Sequence, residues 1–466
     1  MLFFDRLEDY GHSVSVISES GRMCSYAELT AMADAVAAET LPRDLVFLLC
    51  ENSLGSLAGY VGFLRRRVVP LLLDSTMDEG LLTQLIQTYH PTYLYVPERL
   101  ADRFADLPQL HHAQGYILLK TNSQIRYTLH EDLALLLTTS GSTGSPKLVR
   151  QSARNIDSNA RAIADYLDIT SQERPITTLP MHYTYGLSVI NSHLLSGATL
   201  LMTGRGLMEK DFWTFLRDQG ATSIAGVPYT YEMLKRLRFF NMQLPALHTM
   251  TQAGGKLQPE LAREFAEFAL DRGIRFFIMY GQTEATARMS YLPPERSVEK
   301  YASIGVAIPG GQFSLIDDGG ATIDAVDVVG ELVYRGSNVT LGYAQCLEDL
   351  SKGDENYGVL VTGDMARRDS DGFYYITGRK KRFIKLFGNR MNLDEAEQLV
   401  KTLMIDCACV GQDDHMVIYV TDGSRSQEVQ KFLAEKTGIH PVAFEVRTIS
   451  EIPKSASGKT EYTKLQ

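Results

Sequence analysis

The chain has 466 residues, 44% of them hydrophobic and 22% charged, with a formal net charge of −10. That length is more than one ordinary core serves and implies two or three units, while the acidic balance argues against general nucleic-acid binding, which needs a basic surface to displace counterions. No apolar run reaches the roughly 18 to 20 residues of a membrane span, and acids at Asp5, Glu8 and Asp9 stand where a signal peptide needs a basic and then a long apolar stretch, so a cytoplasmic location is expected.

Taken in chain order, short apolar runs alternate with helical periodicity, which implies an α/β layered fold. The runs 46–50, 68–73 and 133–137 read as buried strands. A Gly/Ser/Thr loop follows the last of these, and then a helix whose Ile156, Ala160, Ile163 and Leu167 share one face. Phe276–Met279 reads as a strand running into a glycine turn. After the Ser370-Asp371-Gly372 turn signal the pattern changes. From Lys381 onward about 85 residues carry a small α/β pattern of their own. There Asn392 is expected to cap a helix through Leu393, Ala396, Val400 and Leu403, with Glu395 reaching back to the cap. A second helix, 427–437, is expected between strands at 416–420 and 442–446. The domain division predicted is 1–380 and 381–466. The five cysteines, at 24, 50, 346, 407 and 409, form no framework and read as reduced thiols. Cys407-Ala-Cys409 is too tight and isolated for a zinc site and reads as plain strand.

Five stretches suggest chemistry. Thr138-Thr-Ser-Gly-Ser-Thr-Gly-Ser-Pro-Lys147 follows a buried strand, and its amides, hydroxyls and lysine suit phosphate. It is not a Walker loop, because Pro146 precedes the lysine and Leu148 follows it. Tyr280-Gly-Gln-Thr-Glu284 offers a ring for a base, and a hydroxyl and carboxylate for a phosphate oxygen and Mg2+. In Thr362-Gly-Asp364, a carboxylate after a glycine turn can accept both hydroxyls of a ribose. The basic run 378–385 precedes Gly388, and Pro453-Lys-Ser-Ala-Ser-Gly-Lys459 is a small-residue loop that can deliver a cation to a cleft. Singly each has a plainer reading: a flexible loop, a strand-end turn, an Asx turn, a solvated basic run and a frayed terminus.

Their joint order resembles the acyl-adenylate-forming superfamily of acyl- and aryl-CoA synthetases, free-standing adenylation domains and luciferases. The resemblance runs from about Tyr26 to the C-terminus. Intermediate pieces agree: Gly226-Val-Pro228, Ala253-Gly254-Gly255, Ser303-Ile-Gly305 with Pro309-Gly310, and Gly330-Glu-Leu332 with Gly342-Tyr343. The resemblance implies a large N-terminal domain of layered α/β subdomains and a small mobile C-terminal α+β domain. It implies ATP and Mg2+ as cofactors, and a carboxylic acid activated to acyl-AMP and passed to the thiol of CoA or an acyl carrier protein.

By the same resemblance Thr139, Ser140, Gly141, Ser142, Thr143, Gly144 and Lys147 hold the β and γ phosphates. Gly254, Gly255, Tyr280 and Gly281 border the nucleotide, with Tyr280 stacking on adenine. Thr283 contacts phosphate, Glu284 binds magnesium, and Asp364 and Arg379 hold the ribose. Lys381 is the hinge, Gly388 lines the thiol channel, and Lys459 bridges the carboxylate to the α-phosphate, relieving the repulsion of two anions. Tyr183, Thr184, Tyr185, Val227 and Met279 are expected to form a mixed aromatic and apolar acid pocket.

Some positions depart from the family pattern. Tyr183 occupies the gate slot usually held by histidine, and His182, one place earlier, reads as a satisfied structural residue. Ala153, Lys256 and Tyr462 stand where a His, a small residue and an Arg are usual. Lys380, Lys381, Arg382, Lys385 and Arg390 read as a basic cluster for CoA phosphates or an acidic carrier, or as ordinary solubilising charge. Thr184 takes the place where amino-acid-activating relatives carry Asp, so the acid is expected to lack an α-amino group, an unpaired buried ammonium being costly. Three other readings stay open: an amino-acid-adenylating ligase that loads a carrier, an adenylating enzyme with a non-thiol acceptor, and a nucleotide-binding regulator without activity.

Overall fold

A computed structural model describes residues 2–138, 147–387, 389–403, 405–454 and 460–465, with only the backbone for 381, 383, 385, 389 and 390. The strand Leu45–Cys50 shows how the apolar runs are used. Its alternate residues point to opposite faces, and both faces are covered: Val46, Leu48 and Cys50 join one hydrophobic cluster and Leu45, Phe47 and Leu49 another. A strand buried on both sides needs a continuous apolar run rather than an alternating one.

This strand lies inside an eight-stranded sheet ordered Gly342–Ala344, Leu148–Ser152, Leu133–Thr138, Val69–Asp74, Leu45–Cys50, Tyr93–Pro97, Tyr116–Lys120 and Gln109–Ala113. Its central members run parallel. A nine-stranded sheet holds Ser223–Gly226, Thr249–Gln252 and Arg275–Tyr280 side by side, also parallel. Helices Tyr26–Ala38, Leu54–Arg66, Ala153–Tyr166 and Thr184–Leu195 are sandwiched between the two sheets, since one cluster joins Val16 and Leu200 of the second sheet to Val46 and Leu135 of the first through these helices. Helix Leu54–Arg66 packs closely on its neighbour because Gly62 has no side chain, and a Cβ there would strike the Ala33 carbonyl. Helix Ala153–Tyr166 starts where Ser152 Oγ accepts from Asn155 N (3.1 Å) and Asn155 Oδ1 accepts from Ser152 N (2.8 Å). It buries Ile156, Ala160 and Ile163, and Leu167 is its C-cap. A third, antiparallel sheet runs Gln312–Ile316, Gly330–Arg335, Val359–Arg368 and Tyr374–Arg379.

The C-terminal part is a small α+β unit. Strands Cys407–Gln412, His415–Val420 and Phe444–Thr448 form its sheet, with helices Leu393–Lys401 and Ser426–Thr437 against it. Its cluster draws only on residues from Ile384 to Phe444. Cys407 and Cys409 are buried strand residues with free thiols, pushed above the ordinary thiol value by burial. The last strand begins two residues later than the sequence suggests, because Pro441 opens a single 3-10 turn over Pro441–Ala443. The helix at 393 ends at Lys401, so Leu403 packs on the core from beyond its end. Asn392 caps that helix by accepting from Asp394 N at 2.8 Å. The expected return contact from Glu395 is not among the described hydrogen bonds, and Asn392 Nδ2 donates separately to the Thr377 carbonyl at 2.7 Å. No described helix is long and apolar enough to cross a membrane.

Candidate active site

Three adjacent parallel strands end in Gly226, Gln252 and Tyr280, and each is followed by a turn containing a residue singled out above: Val227, Gly254 and Gly281. Ligands in open α/β sheets bind at such carboxyl edges. The turn after Tyr280 is tight, and a side chain at Gly281 would strike the Ala287 carbonyl. Gly254 has a φ of +82°, and a Cβ on it would lie 2.6 Å from the Tyr183 hydroxyl and 3.0 Å from Val227. Tyr183, Gly254 and Val227 therefore meet at one point.

Asp364 faces this edge from the antiparallel sheet. It is buried, and strand register places it opposite Arg379. Tyr280 donates its hydroxyl to Asp364 Oδ2 at 2.5 Å, and Gln282 Nε2 donates to the same oxygen at 2.9 Å. Oδ1 is left facing Arg379 Nε at 3.6 Å. Gln282 also donates to the Thr362 carbonyl at 3.0 Å. Burial raises Asp364 above the ordinary carboxylate value, against the pull of the Tyr280 hydroxyl, Arg379 and Gln282. Burial and the adjacent Asp364 charge push the Tyr280 phenol well up, so it acts as a donor. The result is a carboxylate with one oxygen oriented by two donors and the other turned toward Arg379.

A second polar group sits beside it. Glu284 lies in a single 3-10 turn, Thr283–Ala285, and its Oε1 accepts from the Tyr343 hydroxyl at 2.7 Å. Lys147 Nζ lies 5.3 Å from the centre of the Tyr343 ring. Tyr343 is held by Arg150, whose side chain is fully buried. Arg150 Nε donates to the Tyr343 carbonyl at 3.0 Å, and its Nη2 reaches Leu341 O at 2.9 Å and Glu355 at 2.5 Å. The Thr283 carbonyl accepts from Gln151 Nε2 at 3.4 Å. Among the described residues no group of three or more metal-ligating side chains occurs, and Glu284 stands as a single carboxylate beside Tyr343. Thr139, Ser140, Gly141, Ser142, Thr143, Gly144, Gly388 and Lys459 lie outside the described residues. Lys454 and Thr460, which flank the 455–459 stretch, pair in an antiparallel bridge.

Of the residues expected to hold the acid, Tyr185, Val227 and Met279 share one cluster with Tyr183 against it. The Tyr185 hydroxyl meets Thr251 Oγ1 at 2.8 Å. Thr184 instead lines a separate small cavity with Gln151, Ser188 and Thr286. Arg288, which no motif marked, reaches the same wall. Its guanidinium lies 5.0 Å from the centre of the Tyr185 ring and donates to Met279 Sδ at 3.3 Å.

Two expectations need correction. His182 is not satisfied: its Nδ1 is buried without a partner among the described residues, its Nε2 stands 3.8 Å from Asp74, and burial lowers its pKa. The basic cluster is largely neutralised where it is described. Lys380 Nζ sits 2.8 Å from Glu331, and Arg382 lies between Asp394 (2.5 Å) and Glu397 (2.6 Å) and 3.8 Å from the Tyr462 ring centre. Tyr462, the unusual residue after Lys459, donates its hydroxyl to Glu397 at 2.9 Å and so docks the C-terminal segment. The side chains of Lys381, Lys385 and Arg390 lie outside the description. Lys256, the other unusual residue, donates to the Ile376 carbonyl at 3.4 Å, linking the glycine turn to the strand that carries Arg379.

Sequence reasoning missed Gln282, Tyr343, Arg150 and Arg288 as site residues. Gln282 is the variable position inside a recognised motif, and Tyr343 was noted only as part of a matching Gly-Tyr pair. A buried carboxylate held by a tyrosine and a glutamine and faced by an arginine, at the glycine-turned edge of parallel strands, stands where open α/β enzymes bind ligands. The particular family follows from comparison: residues 3–344 match the family model described as AMP-binding enzyme, and the chain belongs to that family. It is 30% identical over 349 residues to a sulfoacetate–CoA ligase of Cupriavidus necator, and 26% identical over 347 residues to an oxalate–CoA ligase of Arabidopsis thaliana. Each match covers 71% of this chain, and the chain spans 66% of the length of these relatives. In fold it is similar to o-succinylbenzoate coenzyme A synthetase from Bacillus subtilis in complex with ATP and magnesium. The TM-score is 0.82, with 20% identity, over 99% of this chain and 98% of that one.

Proposed function

We propose that the chain joins a carboxylic acid to the thiol of CoA in two steps driven by ATP. The observation that carries this reading is the Asp364 clasp: a buried carboxylate with Oδ2 held by Tyr280 and Gln282 and Oδ1 turned toward Arg379. Oδ1 is then the acceptor for a ribose hydroxyl, and the Tyr280 ring borders the base. Thr283, Lys147 and loop residues 139–144 receive the phosphates. Mg2+ at Glu284 supplies charge neutralisation for the triphosphate. The donor set fits such a group, since Tyr343 orients Glu284 through Oε1.

In the first step an acid carboxylate oxygen attacks the α-phosphorus and pyrophosphate leaves, giving acyl-AMP. Lys459 neutralises the two approaching anions, and the rest is positioning. In the second step a thiolate attacks the acyl carbon, and AMP leaves with the bonding electrons. Between the steps we assign the 381–466 unit a rotation about Lys381 that withdraws Lys459 and opens a channel past Gly388. The separation of its cluster from those of residues 1–380 supports that division. CoA is favoured over a carrier protein as acceptor because the relatives are named as CoA ligases.

The experiment is a pyrophosphate-release screen over aliphatic, aryl and amino acids, followed by thioester detection with CoA and with an acyl carrier protein. Pyrophosphate release with an acid, then a CoA thioester, is the expected result. Bound ATP with no pyrophosphate from any acid sinks the reading. Thioester on the carrier alone reassigns the acceptor.

A further inference from the structure

The wall beside Tyr185 contains a buried cation that makes no ion pair among the described residues. Arg288 is 2% exposed. Its Nε donates to Ser188 Oγ at 3.1 Å, and its Nη1 to the Tyr166 hydroxyl at 3.1 Å and to Met279 Sδ at 3.3 Å. Among the described residues no carboxylate lies within ion-pairing distance of it, and its Nη2 donates no hydrogen bond. The side chain is aimed there at a conformational cost. Thr286 and Ala287 just before it have φ of +53° and +93°, a region that β-branched and other non-glycine residues rarely occupy. Asn159 and Asn338 then pin the Arg288 carbonyl, at 2.8 and 3.1 Å. A guanidinium stays protonated at any working pH, so a buried one facing neutral groups and an aromatic ring is an incomplete arrangement.

The small space beside it, about 20 Å³, is lined by two guanidiniums and one carboxylate. Arg288 lines a small cavity with His193, Thr251 and Arg275, behind the helix that begins at Thr184. His193 Nδ1 bonds the Val189 carbonyl at 2.8 Å, and burial lowers the pKa of the ring to about 4. The cavity also includes Glu173, whose carboxylate already accepts from Thr222 at 2.6 Å and faces His248 at 3.5 Å.

We propose that Arg288 reads a second carboxylate of the acid, so that the enzyme activates one end of a dicarboxylic acid while the other end pairs with this guanidinium. The proposal rests on the ligase reading above and names its substrate class. A planar carboxylate meets the open Nη2 edge in the geometry that arginine favours, and a monocarboxylic acid leaves the charge uncompensated.

The test compares pyrophosphate release from straight-chain dicarboxylic acids, monocarboxylic acids of equal length and α-amino acids. It uses the full chain as wild type, Arg288→Lys and Arg288→Met, with ATP binding titrated separately. The wild type is expected to favour a dicarboxylic acid by about 10²-fold in kcat/KM. Arg288→Met is expected to erase that ratio through KM, and Arg288→Lys to keep part of it. A wild-type preference for monocarboxylic or amino acids overturns the proposal, the latter pointing to Glu173. An equal loss with all acids in Arg288→Met also overturns it, because that is what a structural role produces. Nucleotide binding without pyrophosphate from any acid removes the ligase reading and this proposal with it.

Discussion

The Asp364 clasp and the Arg288 wall both border the nine-stranded sheet, yet they treat buried charge in opposite ways. Asp364 is satisfied within the protein: Tyr280 and Gln282 hold one oxygen, and Arg379 faces the other. Arg288 has only a hydroxyl pair, a thioether and a ring. The clasp is thus pre-set for a ligand that offers hydroxyls and needs orientation. On the proposal above, the wall takes a ligand that brings charge. The difference teaches that a site for the cosubstrate common to a family can be built from short motifs, whereas the site that selects one acid is assembled from residues far apart in sequence.

The largest effect expected lies on the cosubstrate side. Lys459→Ala should slow acyl-AMP formation by about 10² to 10³-fold, the usual cost of losing one donor aimed at developing charge. It should spare thioester formation from acyl-AMP supplied ready-made. Pyrophosphate release and thioester assays read the two steps apart, and near-normal adenylation by the variant removes Lys459 from its role.

Asp364→Asn keeps the shape but cannot accept from both Tyr280 and Gln282 while serving a ribose. Hydrogen bonds to a charged group contribute about 1.5–3 kcal/mol, so KM for ATP should rise about 10- to 100-fold. Because the clasp and the wall are separate devices, KM for the acid should stay in place. A parallel rise in both constants would merge the two regions and break the comparison.

The acid side should show itself through pH. His193 is fully buried beside this wall, and its pKa falls from 6.5 to about 4 because burial disfavours the charged ring, with Arg288 adding repulsion. Below pH 6.5 the unfolded chain takes up a proton that the folded one refuses. Stability therefore rises with pH from about 4 to 6.5 and is flat above. Between pH 7 and pH 5 this group alone should cost about 2 kcal/mol, and His193→Gln should lose about that much less. Urea unfolding at the two pH values measures it, and identical pH dependence of the two proteins refutes it.

The smallest effect tests whether the clasp depends on the C-terminal unit. Asn392 caps a helix there and also holds the Thr377 carbonyl, two residues before Arg379. Asn392→Ala should lower stability by about 1 kcal/mol and modestly weaken ATP binding. Discrimination among acids should not change.

Much of this was legible in the chain itself. The strand at 133–138, the helix after Ser152 and the cap at Asn392 follow from local rules, because apolar runs and capping side chains act on near neighbours. Tyr280, Glu284 and Asp364 could be picked out because each sits in a short stretch whose glycine turn is itself a requirement of the chain's path. The pairing of Lys380 and Arg382 with acids could not be read in advance, because charge in sequence says nothing of partners. Glu331 lies 49 residues before Lys380, and Glu397 comes from a different element than Arg382. Thr184 failed to join its neighbours because one step along a helix turns a side chain through roughly 100°, enough to send it into another cavity.

Composition, periodicity and motif order determined the α/β architecture, the resemblance to the family, and Tyr280, Asp364 and Arg379 of the clasp, while Gln282 was not marked. Only the tertiary structure decided that Tyr343 orients Glu284, that Tyr462 docks the C-terminal segment on Glu397, and that Arg288 is buried with no ion pair among the described residues. The physical reason is the range of the interactions. Caps, turns and apolar stripes act over a few residues and are written locally. The surroundings of Arg288 are Ser188, 100 residues away, and Tyr166, 122 residues away, and nothing but the packing of helix against sheet brings them to it.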